Sequence, residues 1–274
     1  MSLFLDVFYW NVSPEMFSLD LGDSFSIAIR WYSLMFGLSF FLGYYIFQYI
    51  YKTENKKLED LDDLVMYMFL ATIIGARLGH VLFYDFEYYF IHNPKEILQV
   101  WKGGLASHGA IFTILLALYI FVKKHKGYTF IWLLDRVVWV VALAAGFIRI
   151  GNFFNSEIVG LPTNGNWGVV FMQNGESFPR IPIMLFESIS YLFVFLILSY
   201  LYVSKKGHPK KGLMSAVFFI LMLSFRFLWE FWKSDYGEKI LFGLNSGQLL
   251  SIPFVLVGFG LLYYSFKSSE PVVN

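Results

Sequence analysis

The chain has 274 residues, of which 57% are hydrophobic, 21% are aromatic and only 15% are charged. A soluble chain carries charge at about one residue in four, so this composition excludes an ordinary soluble domain. The net charge of +1 gives no reason to expect a nucleic-acid partner. The absence of cysteine excludes disulfides and a cysteine nucleophile. A thiol that reacts on this protein must therefore belong to a substrate.

The N-terminal segment 1–25 is aromatic and acidic and is broken by Pro14 and Gly22. It has no basic region, which argues against a cleaved signal peptide and predicts an outer, non-spanning segment. Hydrophobic runs then follow, each close to the roughly 20 residues that cross a hydrocarbon core. We predict an all-α polytopic membrane protein, a single integral membrane domain over 1–274, with seven transmembrane helices and a small outer head segment. The predicted spans are 26–50, 64–84, 108–122, 131–150, 183–203, 212–229 and 248–267.

Lysines in alternate loops set the predicted topology. They cluster after the first, third and fifth spans, and positively charged loops stay in the cytoplasm. The N-terminus is therefore predicted outside and the C-terminus in the cytoplasm. The clustered lysines are Lys52, Lys56, Lys57, Lys123, Lys124, Lys126, Lys205, Lys206, Lys210 and Lys211.

The arginines follow a different pattern. Five of the six lie in or next to the outer half of this topology, where the lysine rule would not put them. An anionic ligand explains this placement, because guanidinium groups bind phosphate oxygens bidentately. The alternative is that each arginine pairs with a carboxylate or reaches the lipid headgroups. The five are Arg30, Arg77, Arg149, Arg180 and Arg226.

Two segments near the second and third spans carry candidate residues. Arg77 lies between small residues in the second span, either to bind a ligand or as an incidental charge in a helix-packing motif. His108 lies where the third span starts and is a candidate general base. The alternative for His108 is a structural histidine that bonds a loop carbonyl.

The end of the fourth span concentrates polar residues within Arg149–Gly160. Arg149 and Asn152 are three residues apart, which places both on one helix face, where they suit an oxyanion. Glu157 either orients Arg149 or His108 or only solvates the loop. The outer head loop 151–182 is rich in turn signals, and residues 167–171 within it are predicted to be a strand of a small hairpin.

Two further places complete the candidate site. Arg226 and Glu230 are spaced i, i+4, which favours either a local ion pair or ligand binding. Tyr32 lies at the outer start of the first span, where aromatic residues also serve as membrane anchors. No His, Asp or Glu spacing indicates a metal site, and we expect no cofactor.

These motifs together resemble the prolipoprotein diacylglyceryl transferase family of the bacterial inner membrane. The segment Arg149–Gly160 is similar to the central family motif, and five other segments come in family order along nearly the whole chain. They are residues 31–35, 75–84, 103–109, 225–230 and 247–253.

The resemblance implies seven transmembrane helices with a periplasmic head and the N-terminus outside. It implies transfer of the diacylglyceryl group from phosphatidylglycerol to the lipobox cysteine of prolipoproteins, with release of glycerol phosphate. The implied partners are phosphatidylglycerol, prolipoprotein signal peptides and membrane lipids. By motif, Arg149, Arg226 and His108 are the implied catalytic residues, although an arginine-centred mechanism with unaided thiol ionisation stays open. The implied lipid-binding set also includes Arg77, Asn152, Glu157, Gly160, Tyr32 and Glu230.

The chain departs from the family pattern around Arg180–Glu187, where apolar residues replace a histidine, a glutamine and a tyrosine. It also has Gly109-Ala110-Ile111 where the family usually has Gly-Gly-Leu, and Met222 where a tyrosine is common. These changes keep two alternatives open. One is a non-catalytic lipid-binding protein or anionic-solute carrier, and the other is a paralogue with a different acceptor.

Overall fold

The computed structural model describes residues 6–20, 26–100, 104, 106–234 and 240–267, without the side chains of residues 19, 20, 26, 27, 107 and 108. This part of the chain is mostly helical, as its long apolar runs require in a medium that cannot hydrogen-bond the backbone. The long helices are α1 Trp31–Thr53, α2 Glu59–Phe83, α3 Ser107–Lys124, α4 Phe130–Phe154, α5 Ile183–Ser204, α6 Leu213–Trp229 and α7 Ser246–Lys267. Short 3-10 turns at Pro94–Leu98, Met172–Asn174 and Glu230–Trp232 and a π-helical turn at Tyr88–His92 connect them.

Six helices in the described ranges are long and apolar enough to cross a membrane, which makes the chain a multi-pass membrane protein. These are α1, α2, α4, α5, α6 extended to Trp232, and α7. The predicted third span, 108–122, lies within α3, which is helical but is not one of the six. The predicted start of the first span was wrong, since Ser26–Arg30 is a β-strand. Its alternating isoleucines suit a strand better than a helix.

Four strands form two small sheets. β2 (Glu15–Asp20) pairs with β3 (Ser26–Arg30) in antiparallel register. β1 (Val7–Trp10) pairs in parallel with β4 (Gly168–Phe171). The predicted strand at 167–171 is therefore confirmed, but its sheet partner is β1 and not a hairpin neighbour.

The β4 strand is buried along its whole length and packs against the end of α4. Phe153, Val169 and Phe171 form the centre of this small core, and the Trp10 ring lies 4.4 Å from that of Phe153. A strand buried on both faces is uniformly apolar, which matches the Gly-Val-Val-Phe sequence. This head core holds the C-terminal end of α4 in place.

The chain forms two compact units, of which the first comprises Met1–Ile46 and Asp135–Asn274 and the second Phe47–Leu134. In the first unit, α4 and α5 approach closely at Gly146, whose carbonyl accepts a 2.9 Å hydrogen bond from the Ser188 hydroxyl. In the second unit, a side chain on Gly109 would collide with the Gly75 carbonyl, so α2 and α3 touch through backbone. Small residues at helix contacts are how membrane helices gain packing energy without a hydrophobic driving force.

Asp135 in α4 caps the start of α6 from a different helix. It is fully buried, and its carboxylate accepts hydrogen bonds from the Gly212 N–H at 2.7 Å and from the Ser215 N–H and hydroxyl at 2.9 and 2.6 Å. The first N–H groups of a helix lack internal partners and favour a negative charge. Arg136 lies 3.9 Å from the same carboxylate. Asp135 therefore links α4 to α6 by pairing groups that the membrane would leave unsatisfied.

We expect Asp135→Ala to destabilise the protein by about 3 kcal/mol or more, because three buried donors lose their acceptor and Arg136 loses the nearby carboxylate. Ser215→Ala removes one of these hydrogen bonds and should cost about 1 kcal/mol. Apparent melting temperatures in matched detergent would measure both effects. Equal melting temperatures for wild type and Asp135→Ala would contradict this role.

Candidate active site

Arg149 lies in the last turns of α4, and its guanidinium contacts a carboxylate and an amide of the first unit. Its Nε lies 2.9 Å from Glu187 Oε2, and its Nη1 donates to Asn152 Oδ1 at 3.2 Å. The second contact confirms the predicted shared helix face of Arg149 and Asn152. About 16% of the Arg149 side chain stays exposed.

A hydrogen-bonded turn ends α4 and directs the Glu157 side chain back toward the helix. The Ser156 N–H donates to Phe153 O at 3.0 Å and the Glu157 N–H to Asn152 O at 3.1 Å, which is the Schellman pattern. Ser156 has the left-handed φ of 54° that this pattern requires. Glu157 Oε1 accepts from Asn152 Nδ2 at 2.7 Å and from Asn155 Nδ2 at 3.2 Å. Glu157 thus orients Asn152, which in turn contacts Arg149.

Glu187, near the start of α5, is fully buried and is shared by two cations. Arg149 contacts one carboxylate oxygen, and Lys233 Nζ lies 3.0 Å from the other. The Arg149 contact is an ion pair without hydrogen-bond alignment, since Oε2 accepts no hydrogen bond. The Tyr191 hydroxyl donates to Glu187 Oε1 at 3.3 Å. Sequence reasoning missed Lys233 and Glu187 as site residues.

Glu230 begins the short turn after α6 and completes this network. Lys233 Nζ donates to Glu230 Oε1 at 2.7 Å, and Asn245 Nδ2 donates to Oε2 at 3.1 Å. A side chain on Gly247 would lie 2.7 Å from Glu230 Oε1, so the start of α7 packs directly on this carboxylate. Only 5% of the Lys233 side chain is exposed, so Lys233 is a buried bridge between two glutamates.

Arg226, in the last turn of α6, does not use Glu230 as the local partner that its spacing suggested. Its Nε is buried and has no hydrogen-bond partner in the described part of the chain. Tyr191 interacts electrostatically with both Arg226 and Arg149. A buried, unpaired N–H is costly, and an anionic acceptor would remove that cost.

Tyr32 and Gly160 occupy close-packed positions around the end of α4. The Tyr32 ring and backbone lie against Gly151, where an added Cβ would be 3.0 Å from Tyr32 Cδ2. A Cβ on Gly160 would lie 2.5 Å from the Ile181 carbonyl oxygen, and the Gly160 N–H donates to that oxygen at 3.0 Å. Both contacts fix backbone that flanks Arg149 and Glu157.

Arg77 lies in the second unit and is 3% exposed. Its Nε donates to Ile97 O at 3.0 Å, its Nη1 to Gly104 O at 3.2 Å, and its Nη2 to Glu96 O. The guanidinium also stacks 4.7 Å from the centre of the Tyr89 ring. These contacts anchor the segment that follows α2.

His108 lies in the first turn of α3, and its side chain is outside the described part of the structure. The two remaining outer arginines have local partners. Arg180 Nε contacts both Glu176 oxygens at 2.8 Å, and the exposed Arg30 lies 3.8 Å from Glu15. The pairing alternative thus holds for these two arginines.

The family model described as prolipoprotein diacylglyceryl transferase matches residues 21–264. A Tolumonas auensis protein named phosphatidylglycerol–prolipoprotein diacylglyceryl transferase is 42% identical over 94% of this chain and 98% of its own. A protein of the same name from Chloroherpeton thalassium is 41% identical over 96% of this chain and 96% of its own. Another from Porphyromonas gingivalis is 36% identical over 94% of this chain and 95% of its own. The chain belongs to the prolipoprotein diacylglyceryl transferase family.

Proposed function

We propose that this protein transfers the diacylglyceryl group of phosphatidylglycerol to the lipobox cysteine of prolipoproteins, forming a thioether and releasing glycerol phosphate. The observation that carries the proposal is the Arg226 side chain, whose buried Nε has no hydrogen-bond partner among the described residues. Guanidinium N–H groups at the end of membrane helices match the phosphate of a lipid that lies in the same membrane.

The proposed step is a displacement at the glyceryl carbon that bears the phosphate. The cysteine thiolate attacks this carbon, so a C–S bond forms while the C–O bond to the phosphate group breaks. The electron pair of the broken bond stays on the phosphate oxygen. Arg149 and Arg226 stabilise the charge that grows there, and fixed donors do this best in a site of low dielectric constant.

The thiol proton requires an acceptor, for which we propose His108. A histidine is a suitable general base near neutral pH. The alternative is that the thiol ionises unaided near the arginines, whose positive charge favours a thiolate. The two mechanisms differ in their dependence on pH.

The other proposed binding residues shape the site. Asn152 and Glu157 orient Arg149 through the hydrogen bonds at the end of α4. Glu230 fixes Lys233 beside Glu187. Tyr32 and Gly160 hold the flanking backbone by close contact. For Arg77 we propose a supporting role, because it orders the segment after α2.

We further propose that the chain acts as one integral domain of the bacterial inner membrane. The lysine-rich loops support an outer N-terminus and a cytoplasmic C-terminus. The 18-residue α3 is close to the shortest helix that crosses a hydrocarbon core, and we propose it as the seventh span. The head loop 151–182 and the N-terminal segment then lie on the periplasmic side.

The direct test uses the purified protein in nanodiscs with phosphatidylglycerol and a synthetic lipobox-cysteine peptide. Mass spectrometry would detect a diacylglyceryl thioether on the cysteine and free glycerol phosphate. The absence of product from folded protein, beside an active family member, would reject the proposed reaction.

We expect Arg226→Gln to lower kcat by about 10²- to 10³-fold, the usual loss when one stabilising donor of a transition state is removed. Arg226→Lys should lose less, because it keeps the charge but not the planar fork of donors. The matched control is Arg30→Gln, which changes an exposed arginine and should leave kcat within about twofold. An unchanged kcat in Arg226→Gln would contradict its catalytic role.

His108→Asn separates the two proton-transfer mechanisms. If His108 is the base, the variant should lose about 10²-fold or more at pH 7. Its residual rate should then rise about tenfold per pH unit below the ordinary thiol pKa of about 8.5, following the thiolate fraction. Single-turnover rates between pH 6 and 9, with His208→Asn as control, provide the measurement. Superimposable profiles for His108→Asn and wild type would favour unaided ionisation.

We expect Lys233→Met to destabilise the protein by about 3–5 kcal/mol, because Glu187 and Glu230 lose the cation between them. Adding Glu187→Gln should recover part of this loss, since it removes one uncompensated buried charge. Lys233→Arg, which keeps the charge, serves as control. Apparent melting temperatures of all four proteins test this, and a fully stable Lys233→Met would refute the bridging role.

A further inference from the structure

The turn after α4 contains an acceptor that the protein does not use. Asn155 Oδ1 is buried and has no hydrogen-bond partner among the described residues. Its amide nitrogen donates to Glu157 Oε1 at 3.2 Å. The reverse amide orientation would place the carbonyl oxygen against the carboxylate, where two acceptors repel. The contact with Glu157 therefore fixes the amide and leaves Oδ1 to be satisfied by something outside the chain.

An amide oxygen accepts hydrogen bonds and cannot donate them. A phosphate diester offers only acceptors, so it cannot satisfy Asn155 Oδ1. A hydroxyl group can. Ser156 Oγ in the same turn is also buried and has no hydrogen-bond partner in the described ranges. Because a hydroxyl both donates and accepts, this atom does not specify a ligand chemistry.

Arg226 Nε is the complementary case, an unpaired donor that requires an acceptor. Hydrogen bonds connect Asn155 through Glu157 and Asn152 to Arg149. One hydrogen-bonded chain therefore has an unpaired acceptor at one end and a guanidinium group suited to phosphate at the other. A ligand that fits both ends carries a phosphate and, next to it, a hydroxyl-bearing group.

We propose that Asn155 selects the donor lipid by accepting a hydrogen bond from a hydroxyl of its glycerol headgroup. This inference rests on the proposed function, because it assigns the headgroup end of the same lipid site. The Arg149 and Arg226 guanidinium groups bind the phosphate, and Asn155 contacts the headgroup that is esterified to the phosphate. A headgroup without a hydrogen-bond donor leaves Oδ1 buried and unpaired, which disfavours that lipid.

The test compares two donors that differ only in the headgroup hydroxyls, phosphatidylglycerol and phosphatidylpropanol, in the nanodisc assay. For wild type we expect kcat/KM to be about 5- to 100-fold higher with phosphatidylglycerol, the range for one buried acceptor left unpaired. In Asn155→Leu, which has a similar shape but no amide, this ratio should fall to within about twofold of one. Ser156→Ala, in the same turn, is the matched control and should keep the wild-type ratio.

A second readout covers the case in which Asn155→Leu is inactive with both donors. Calorimetry would compare the binding of glycerol phosphate and propyl phosphate to wild type and variant, which requires no turnover. The variant should lose the preference for glycerol phosphate and keep its affinity for propyl phosphate.

The outcomes separate this inference from the proposed function. Thioether product from wild type with a donor ratio near one would overturn the inference and keep the function. A ratio that survives Asn155→Leu, or better turnover of phosphatidylethanolamine than of phosphatidylglycerol, would also overturn it. Absence of thioether with every donor would reject the proposed function itself.

Discussion

The buried carboxylate of Glu187 is the interaction on which the site depends. A carboxylate without solvent exposure costs several kcal/mol unless cations and donors surround it. Arg149 from α4 and Lys233 from the turn after α6 both supply charge to it, and Tyr191 adds a hydroxyl. Two other segments, α4 and the turn after α6, must therefore meet α5 in one arrangement, and that arrangement also fixes where Arg149 lies.

The charges of these side chains nearly cancel. Arg149, Lys233 and Arg226 are offset by Glu187, Glu230 and Glu157, so the set is close to neutral as a whole. In the proposed function, the attraction for phosphate therefore comes from guanidinium donors such as the unpaired Arg226 Nε–H and not from excess positive charge. Donors that a rigid surrounding holds in place need little reorganisation when charge develops. Such donors suit the displacement of a phosphate better than mobile lysine side chains do.

Sequence patterns predicted the local parts of this arrangement and missed the distant ones. Arg149 and Asn152 share a helix face because helical spacing alone determines it. Lys233 looked like an ordinary loop lysine, because its partner Glu187 lies far away in the sequence. The strand at Gly168–Phe171 was predicted from its residues, but its pairing with β1 was not, since parallel strands are joined by long connections that leave no local signal. Ser26–Arg30 was assigned to a helix because apolar character does not distinguish short strands from span ends.

The head core and the polar end of α4 are physically coupled. In its Schellman turn the backbone N–H groups of Ser156 and Glu157 pair with the last helical carbonyls, so those carbonyls need no side chain. The amides of Asn152 and Asn155 are thereby available for Glu157 and for a ligand. The left-handed backbone conformation of Ser156 costs about 1 kcal/mol or more. Two contacts hold Ser156 in this conformation. Phe153 is packed in the head core, and Asn174 Nδ2 donates to Ser156 O at 2.8 Å. The small sheet therefore stabilises a backbone conformation that the site requires.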